Sequence, residues 1–458
     1  VNREVDVLVR AADAGATYLT WRWLDDVHRP EYAVLTVEAT RSALARLDAA
    51  LAAPTLDRER EERTRSAVAE GTFTDVARER ELSRALTEAV FPAALRAGIR
   101  RRAEAGVRVR VRWTPSPRLA RIPWELLCVH DDVRLLEVAD SLLEPPSAVH
   151  AGRPCLPDPW EVARDRPPLF VIDPKVPRRS AELFALKSAL EPPDTRPFAT
   201  RLDEYVQAGR LGVGEASAGL RPRLTRVGLS KALRTPRSRL FYFGHVSSSD
   251  AEPGSAAIHL SDTAETWGMA APLREIGDDG RARETTQDHR PLAAVDLLLG
   301  TSSADAAVWK TYGHDEAKYG YELWPMPPRV AMIACEGGAD YRAAETFGLV
   351  VAMVNAGAGL VTTTRWTLPT DAAFRAAGHT DIHPTGDLAL RVDAAHEGAD
   401  PLGELAAWQR DRLRRWRATG DPACTPLVWA ALTHTIAPAR PPVDPAAREF
   451  AGTGDGPR

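Results

Sequence analysis

A histidine and a cysteine each follow a short apolar run in this chain, and together they are the pair that acyl-transfer chemistry needs. The first run, Arg239-Leu240-Phe241-Tyr242-Phe243-Gly244, leads into His245, and the second, Arg329-Val330-Ala331-Met332-Ile333-Ala334, leads into Cys335-Glu336-Gly337-Gly338. A free thiol has a pKa of about 8.5, so little of it is the attacking thiolate near neutrality. An imidazole, with a pKa near about 6.5, can take that proton and return it to a leaving amine. His245 is therefore the candidate base and Cys335 the candidate nucleophile. A developing oxyanion also needs preorganised donors, for which the backbone amides of Cys335 and Val246 are placed. A lone cysteine closing an apolar run is more often a small core residue, and a lone histidine a satisfied polar one; their occurrence at two strand ends favours chemistry.

The elements that would position them follow from the same runs. Each is short, apolar and bounded by loop residues, which reads as a strand buried on both faces of a parallel sheet. Loops at the carboxyl ends of such strands leave a crevice that helices do not cover, and both side chains would be delivered there. Leu169 to Ile172 is a further buried strand with Asp173 at its end, and Leu360 to Thr364 another, reached through a helix from about Tyr341 to Asn355. Leu183, Leu186 and Leu190 share a helical face that Pro192-Pro193 should terminate. Ile258, Leu260 and Leu292 to Leu298 read as a strand and a helix, and Trp309, Tyr312, Tyr319, Tyr321 and Trp324 as an insertion beside the site whose aromatics either line a substrate cleft or, slightly favoured, pack the insertion. Upstream, Val5, Val7 and Val9, then Leu19, Trp21 and Trp23, alternate as strands. Helical faces follow at Leu44, Leu47 and Leu51 and from Val76 to Ile99, and Val107 to Trp113 alternates again with arginines.

Both reactive segments resemble the motifs of the CHAT proteases, caspase-like domains of the clan that also holds separases, metacaspases and caspases. That family carries a strand ending in Gly-His-Gly and, later, a strand ending in Ala-Cys-Glu-Thr-Gly. Ile122-Pro123-Trp124-Glu125-Leu126-Leu127 is similar to its Leu-Pro-Trp-Glu-Leu-Leu segment. Gly357 to Trp366 with Asp371, and Thr425 to Leu432, resemble its later Gly-Ala and Pro-x-x-Trp-Ala stretches, the last as a closing strand. The resemblance implies an α/β fold, a caspase-like α/β sandwich with a mostly parallel central sheet, preceded by a small α+β N-terminal region. The expected division is an N-terminal region over 1–105, the protease domain over 106–438 and a flexible tail over 439–458. It also implies that His245 and Cys335 hold the catalytic roles. Val246 replaces the family's glycine after the histidine, and would carry a steric cost if the site needs φ above zero. Ile333 stands where related members that cut after Arg or Lys place an acid; Asp173, Asp250 and Glu336 are the remaining candidates for binding a basic substrate side chain.

Composition excludes several other classes. A net charge of −4 gives no basic field for nucleic acid or an anionic membrane. Cys128, Cys155, Cys335 and Cys424 are scattered without metal-ligand or disulfide spacing. His379 and His383, with Asp381 between them, sit among Gly378, Pro384 and Gly386 and read as a loop, so no metal and no cofactor is expected. Gly212-x-Gly214-x-x-x-x-Gly219 follows no apolar strand and is not a phosphate loop. The N-terminus has charged residues within its first six positions and no apolar stretch long enough to export or span, and cytoplasm is the expected location. The expected activity is that of a regulated cysteine endopeptidase in bacterial defence or signalling, acting on a protein substrate encoded nearby, with an activating partner protein. The alternative is a catalytically weak scaffold of the same fold.

Overall fold

The computed structural model describes residues 4–51, 66–177, 188–247, 255–272, 275–276, 282–283, 288–334, 348–366 and 368–437. Alternating residues form an antiparallel meander of β1 (Glu4–Ala14), β2 (Ala16–Trp23) and β3 (Glu31–Leu35). Three helices follow, α1 (Val37–Ala50), α2 (Val76–Val90) and α3 (Ala93–Glu104). Thr36 and Asp75 start the first two by accepting from the N–H groups of Ala39 and Arg78. Next come β4 (Arg108–Thr114), β5 (Ala139–Leu143), β6 (Leu169–Ile172), α4 (Pro192–Gln207), α5 (Arg226–Leu233) and β7 (Arg239–Gly244). Three short strands, β8 (Val246–Ser247), β9 (Ala257–Ile258) and β10 (Leu292–Ala293), form a separate small sheet, and α6 (Ala294–Leu299) continues from it. The chain ends in β11 (Arg329–Ala334), α7 (Leu349–Asn355), β12 (Leu360–Thr364), α8 (Asp371–Ala376), α9 (Pro384–Glu397), α10 (Pro401–Thr419) and β13 (Leu432–Ile436).

The main sheet has ten strands in the order β3-β2-β1-β4-β5-β13-β12-β11-β7-β6. Strands β12, β11, β7 and β6 are mutually parallel, as are β1, β4, β5 and β13; the two sets meet antiparallel at β12 and β13. This is the α/β fold with a mostly parallel central sheet expected from the sequence. Each apolar strand of the first set divides its side chains between two cores. Phe241 and Phe243 of β7 pack with Phe198 and Leu202 of α4 and Leu388 of α9, while Leu240 and Tyr242 pack with Leu229 of α5, Leu297 of α6 and Met353 of α7.

Two expectations change, at Pro192-Pro193 and at Pro426–Trp429, and two further features appear. Residues 4–35 share the main sheet, because β1 pairs with β4 from Glu4 to Arg10, so the boundary expected at residue 106 falls within one hydrogen-bonded layer. Pro192-Pro193 opens α4 rather than ending a helix: proline lacks the N–H that the first helical turn leaves unpaired anyway, and its fixed φ suits that position. Residues Val213–Gly219 form a short helix. Pro426–Trp429 is a helical turn that leads into β13, not part of the strand itself. Tyr312 and Trp324 of the aromatic insertion are buried, and their rings meet edge to face at 5.7 Å. The expected tail and the helical face at Leu183 and Leu186 lie outside the described residues.

Candidate active site

The two reactive motifs belong to neighbouring strands. β7 and β11 pair in parallel from Arg239 opposite Arg329 to Gly244 opposite Ala334. Their carboxyl ends therefore open at the same edge of the sheet, about 4.8 Å apart, the spacing of paired strands. His245 follows Gly244 and is 4% exposed. Cys335, Glu336 and Asp250 lie outside the described residues. Ile333 is fully buried in the core shared with α4, where no substrate could reach it.

Backbone and side chain cooperate to turn the chain at His245. Tyr242 folds its phenol beneath the turn and donates to the His245 carbonyl at 2.7 Å, while the His259 N–H donates to that carbonyl at 3.2 Å. The same phenol explains Gly244: a Cβ there would stand 3.0 Å from the Tyr242 hydroxyl and 3.2 Å from Pro174. The chain then enters β8, which is the edge of the small sheet and pairs with β9, Val246 opposite Ile258 and Ser247 opposite Ala257. Since His245 and His259 share a ladder bond, the alternation of an antiparallel pair makes Val246 and Ile258 the non-bonded position. The Val246 N–H thus points away from β9, toward the edge of β8 that no strand covers among the described residues. Val246 lies in extended strand backbone and is not among the residues of positive φ, so the steric cost anticipated for a β-branched residue there does not arise.

Asp173 adopts φ +48° at the end of β6, and its N–H donates to the Phe243 carbonyl at 2.6 Å, carrying the pairing one residue beyond the strand. Its carboxylate accepts from the Ala189 N–H at 2.9 Å and from the Ser188 hydroxyl, and Arg221, also of positive φ, approaches it to 3.4 Å. Asp173 is 4% exposed, and its oxygens are taken up by Ser188 and Ala189 of its own loop and by Arg221.

Two histidines unremarked in the sequence lie behind His245. The His259 ring meets that of His245 edge to face with centroids 6.3 Å apart, and His289 lies beyond it at 5.0 Å. Burial pushes His289 down to about 4 against the opposing bond to the Asp262 carbonyl, with Arg226 and His245 adding to the depression. Nothing in their spacing marks these residues; the one signal was a polar side chain inside the apolar run Ala257-Ile258-His259-Leu260.

The other motif segments meet elsewhere. Arg365 donates to the carbonyls of Ile122 and Leu432 and pairs with Glu125 at 2.7 Å, and the Trp366 indole donates to the Leu427 carbonyl at 2.8 Å. Three stretches distant in sequence thus converge on one buried guanidinium beside the junction of β12 and β13, where they join the two halves of the sheet.

His379 and His383 do lie in a loop, and His383 reaches Asp194 at 3.4 Å. Asp194, Asp371 and His383 bring one ligand atom each within 4.8 Å of one another. Both carboxylates are engaged by protein groups: Arg375 straddles Asp194 at 2.6 and 2.8 Å, and Asp371 accepts the Thr385 and Gly386 N–H groups that open α9. No helix among the described residues is long and apolar enough to cross a membrane.

No curated protein matches the sequence. Among solved structures, the separase–securin complex of Saccharomyces cerevisiae is similar with 8% identity and a TM-score of 0.45, over 94% of this chain and 30% of that one, so this chain spans under a third of that protein's length. The CHAT domain is matched over residues 80–435, which begins inside α2 and ends in β13. The chain belongs to the CHAT domain family.

Proposed function

We propose that the chain is a cysteine endopeptidase in which His245 is the base, Cys335 the nucleophile, and the amides of Val246 and Cys335 the oxyanion donors. The observation that carries this reading is the parallel pairing of β7 with β11 up to Gly244 and Ala334, which aligns the residue before each reactive side chain. His245 would draw the Cys335 proton, the thiolate would attack a peptide carbonyl, and the imidazolium would protonate the departing amine. The Val246 N–H, aimed off the edge of β8, is a donor of the kind that needs no reorganisation.

The substrate is a specific protein partner encoded nearby, cut under the control of an activating protein in defence or signalling. If a basic side chain is recognised, Asp173 is the described candidate, and substrate would compete with Arg221 for its carboxylate. The rival reading is an inactive scaffold of the same fold, in which Val246 reports lost activity; against it stands the extended, unstrained backbone at Val246.

The test incubates the parent and Cys335→Ala proteins with the products of neighbouring genes and maps new N-termini by mass spectrometry. New termini are expected with the parent alone. Cleavage of the same bonds by the Cys335→Ala protein would sink the proposal.

A further inference from the structure

Behind His245 runs an unbroken chain of side-chain hydrogen bonds. Ser247 Oγ lies 2.8 Å from His259 Nε2, His259 Nδ1 lies 3.1 Å from His289 Nε2, and His289 Nδ1 lies 2.8 Å from the Asp262 carbonyl oxygen. A carbonyl can only accept, so His289 Nδ1 carries the proton. With His289 neutral, its Nε2 must accept from His259 Nδ1–H, and a neutral His259 then accepts the Ser247 hydroxyl at Nε2. Three bonds thereby satisfy all four imidazole nitrogens of two rings that are 1% and 6% exposed. Both tautomers are fixed from the core outward.

The inner end of the chain is anchored. The Asp262 carbonyl also accepts from the Arg290 N–H at 3.1 Å, and the Asp262 carboxylate accepts from the Arg226 N–H at 2.9 Å, where α5 begins. The outer end is Ser247, the second residue after the candidate base and the neighbour of Val246. Polar groups buried this deeply cost stability unless every one is paired, and an apolar pair would fill the space at less risk. Their placement against the base suggests a use for them.

We propose that His259 and His289 are positioning residues: through Ser247 they hold the segment His245–Val246–Ser247 in register, so that the base and the oxyanion donor keep a single pose. This rests on the cysteine-endopeptidase reading. The His259 ring, unable to rotate without breaking bonds at both nitrogens, presents a fixed surface to the His245 ring 6.3 Å away. The Ser247 bond restrains the two-residue strand β8, which among the described residues is paired along one edge, with β9.

The test measures the iodoacetamide alkylation rate of Cys335 by mass spectrometry, with Cys128, Cys155 and Cys424 as references in the same molecule, alongside thermal midpoints. His289→Leu removes the acceptor of the His259 proton and is expected to slow Cys335 about tenfold, less than the roughly 100-fold that a 1 Å displacement of reacting groups can cost. His289→Gln keeps an acceptor oxygen and is expected to recover the rate to within about threefold of the parent, although it fills the core no better than leucine. Ser247→Ala, at a partly exposed position, is expected to slow Cys335 by about threefold and decides the matter if His289→Leu fails to fold. Equal rates for the leucine and glutamine variants, or a parental rate in both His289→Leu and Ser247→Ala, would overturn the inference alone. A parent in which Cys335 reacts no faster than the reference thiols, with no response to His245→Ala, would remove the peptidase reading and this inference together.

Discussion

Strand β7 buries all six of its residues, whereas β4 buries every second one, and that contrast runs through the two halves of the sheet. In the half formed by β12, β11, β7 and β6, helices cover both faces, and the strands are continuous apolar runs. In the half begun by β1, β4 and β5, one face packs on α1, α2 and α3 through Val7, Val109, Val111 and Trp113. The other face carries a ladder of ion pairs, Arg108 with Asp140, Arg110 with Asp6, and Arg112 with Asp6 and Glu144. Both halves have parallel strands and therefore crevices at strand ends. Among the described residues, only the doubly covered half places a histidine at such an end with further imidazoles buried behind it, where low polarity strengthens each hydrogen bond. A parallel sheet is thus not what distinguishes the half that carries the proposed site; the second helical layer, which seals its backing, is.

The strongest challenge to this contrast is Phe243→Ala. Phe243 is 1% exposed and tilts against Phe198 of α4 at 5.0 Å, so truncation would leave a cavity between β7 and its covering helix. A loss of about 3–5 kcal/mol is expected in denaturant unfolding. A loss below about 1 kcal/mol would mean that the layer over this half is loosely packed and that the contrast fails.

Acid should distinguish the halves next. His289 is depressed to about 4 by burial, His434 at the junction of the halves to about 3 by burial with Arg365 nearby, and His396 of α9 well below its ordinary value, again by burial. Each folded pKa lies below the unfolded value near about 6.5, so as pH falls the unfolded chain takes up the proton first. Stability is full above about pH 6.5 and declines toward the folded values, by roughly 3 kcal/mol for His289 alone. Asp371, raised to about 6 by burial, acts in the opposite sense: its contribution is present at low pH and is lost as pH rises through about 6. Denaturation curves between about pH 4 and 6.5 should therefore flatten in His289→Gln relative to the parent. An unchanged slope would place that imidazole in water rather than behind the site.

How far these features could be read from the sequence depends on the range of the interaction. The buried strands β7, β11 and β12 and the alternating β1, β2 and β4 were legible, because burial on two faces or on one writes its period directly into the residues. His245 was legible as the polar residue that ends such a run. Pro192-Pro193 was misread as a helix stop, since the same ring that stops a helix also suits its first turn. The conformation of Val246 was decided by pairing with Ile258 across an intervening segment, which no local rule reports. The histidine chain joins residues up to 30 apart through ring nitrogens, and Arg365 meets Glu125 across 240 positions. Such contacts leave no period, and only the assembled sheet reveals them.

The ladder of the half-covered region offers the smallest effect and the finest discrimination. Burial works against ionisation of Asp6, yet the bonds from Arg110 and Arg112 hold its carboxyl below the usual range. Arg108 and Asp140 stand further out, with side chains 38% and 17% exposed. Asp140→Asn keeps the shape and removes the charge, so the expected loss is at most about 1 kcal/mol, as for other solvent-accessible pairs. It should shrink when urea unfolding is repeated at about 1 M rather than about 0.1 M salt, where the screening length falls from about 10 Å to about 3 Å. A loss near 3 kcal/mol that salt does not touch would show that this face is as secluded as the core around β7, and seclusion could no longer explain why the candidate site lies in one half of the sheet and not the other.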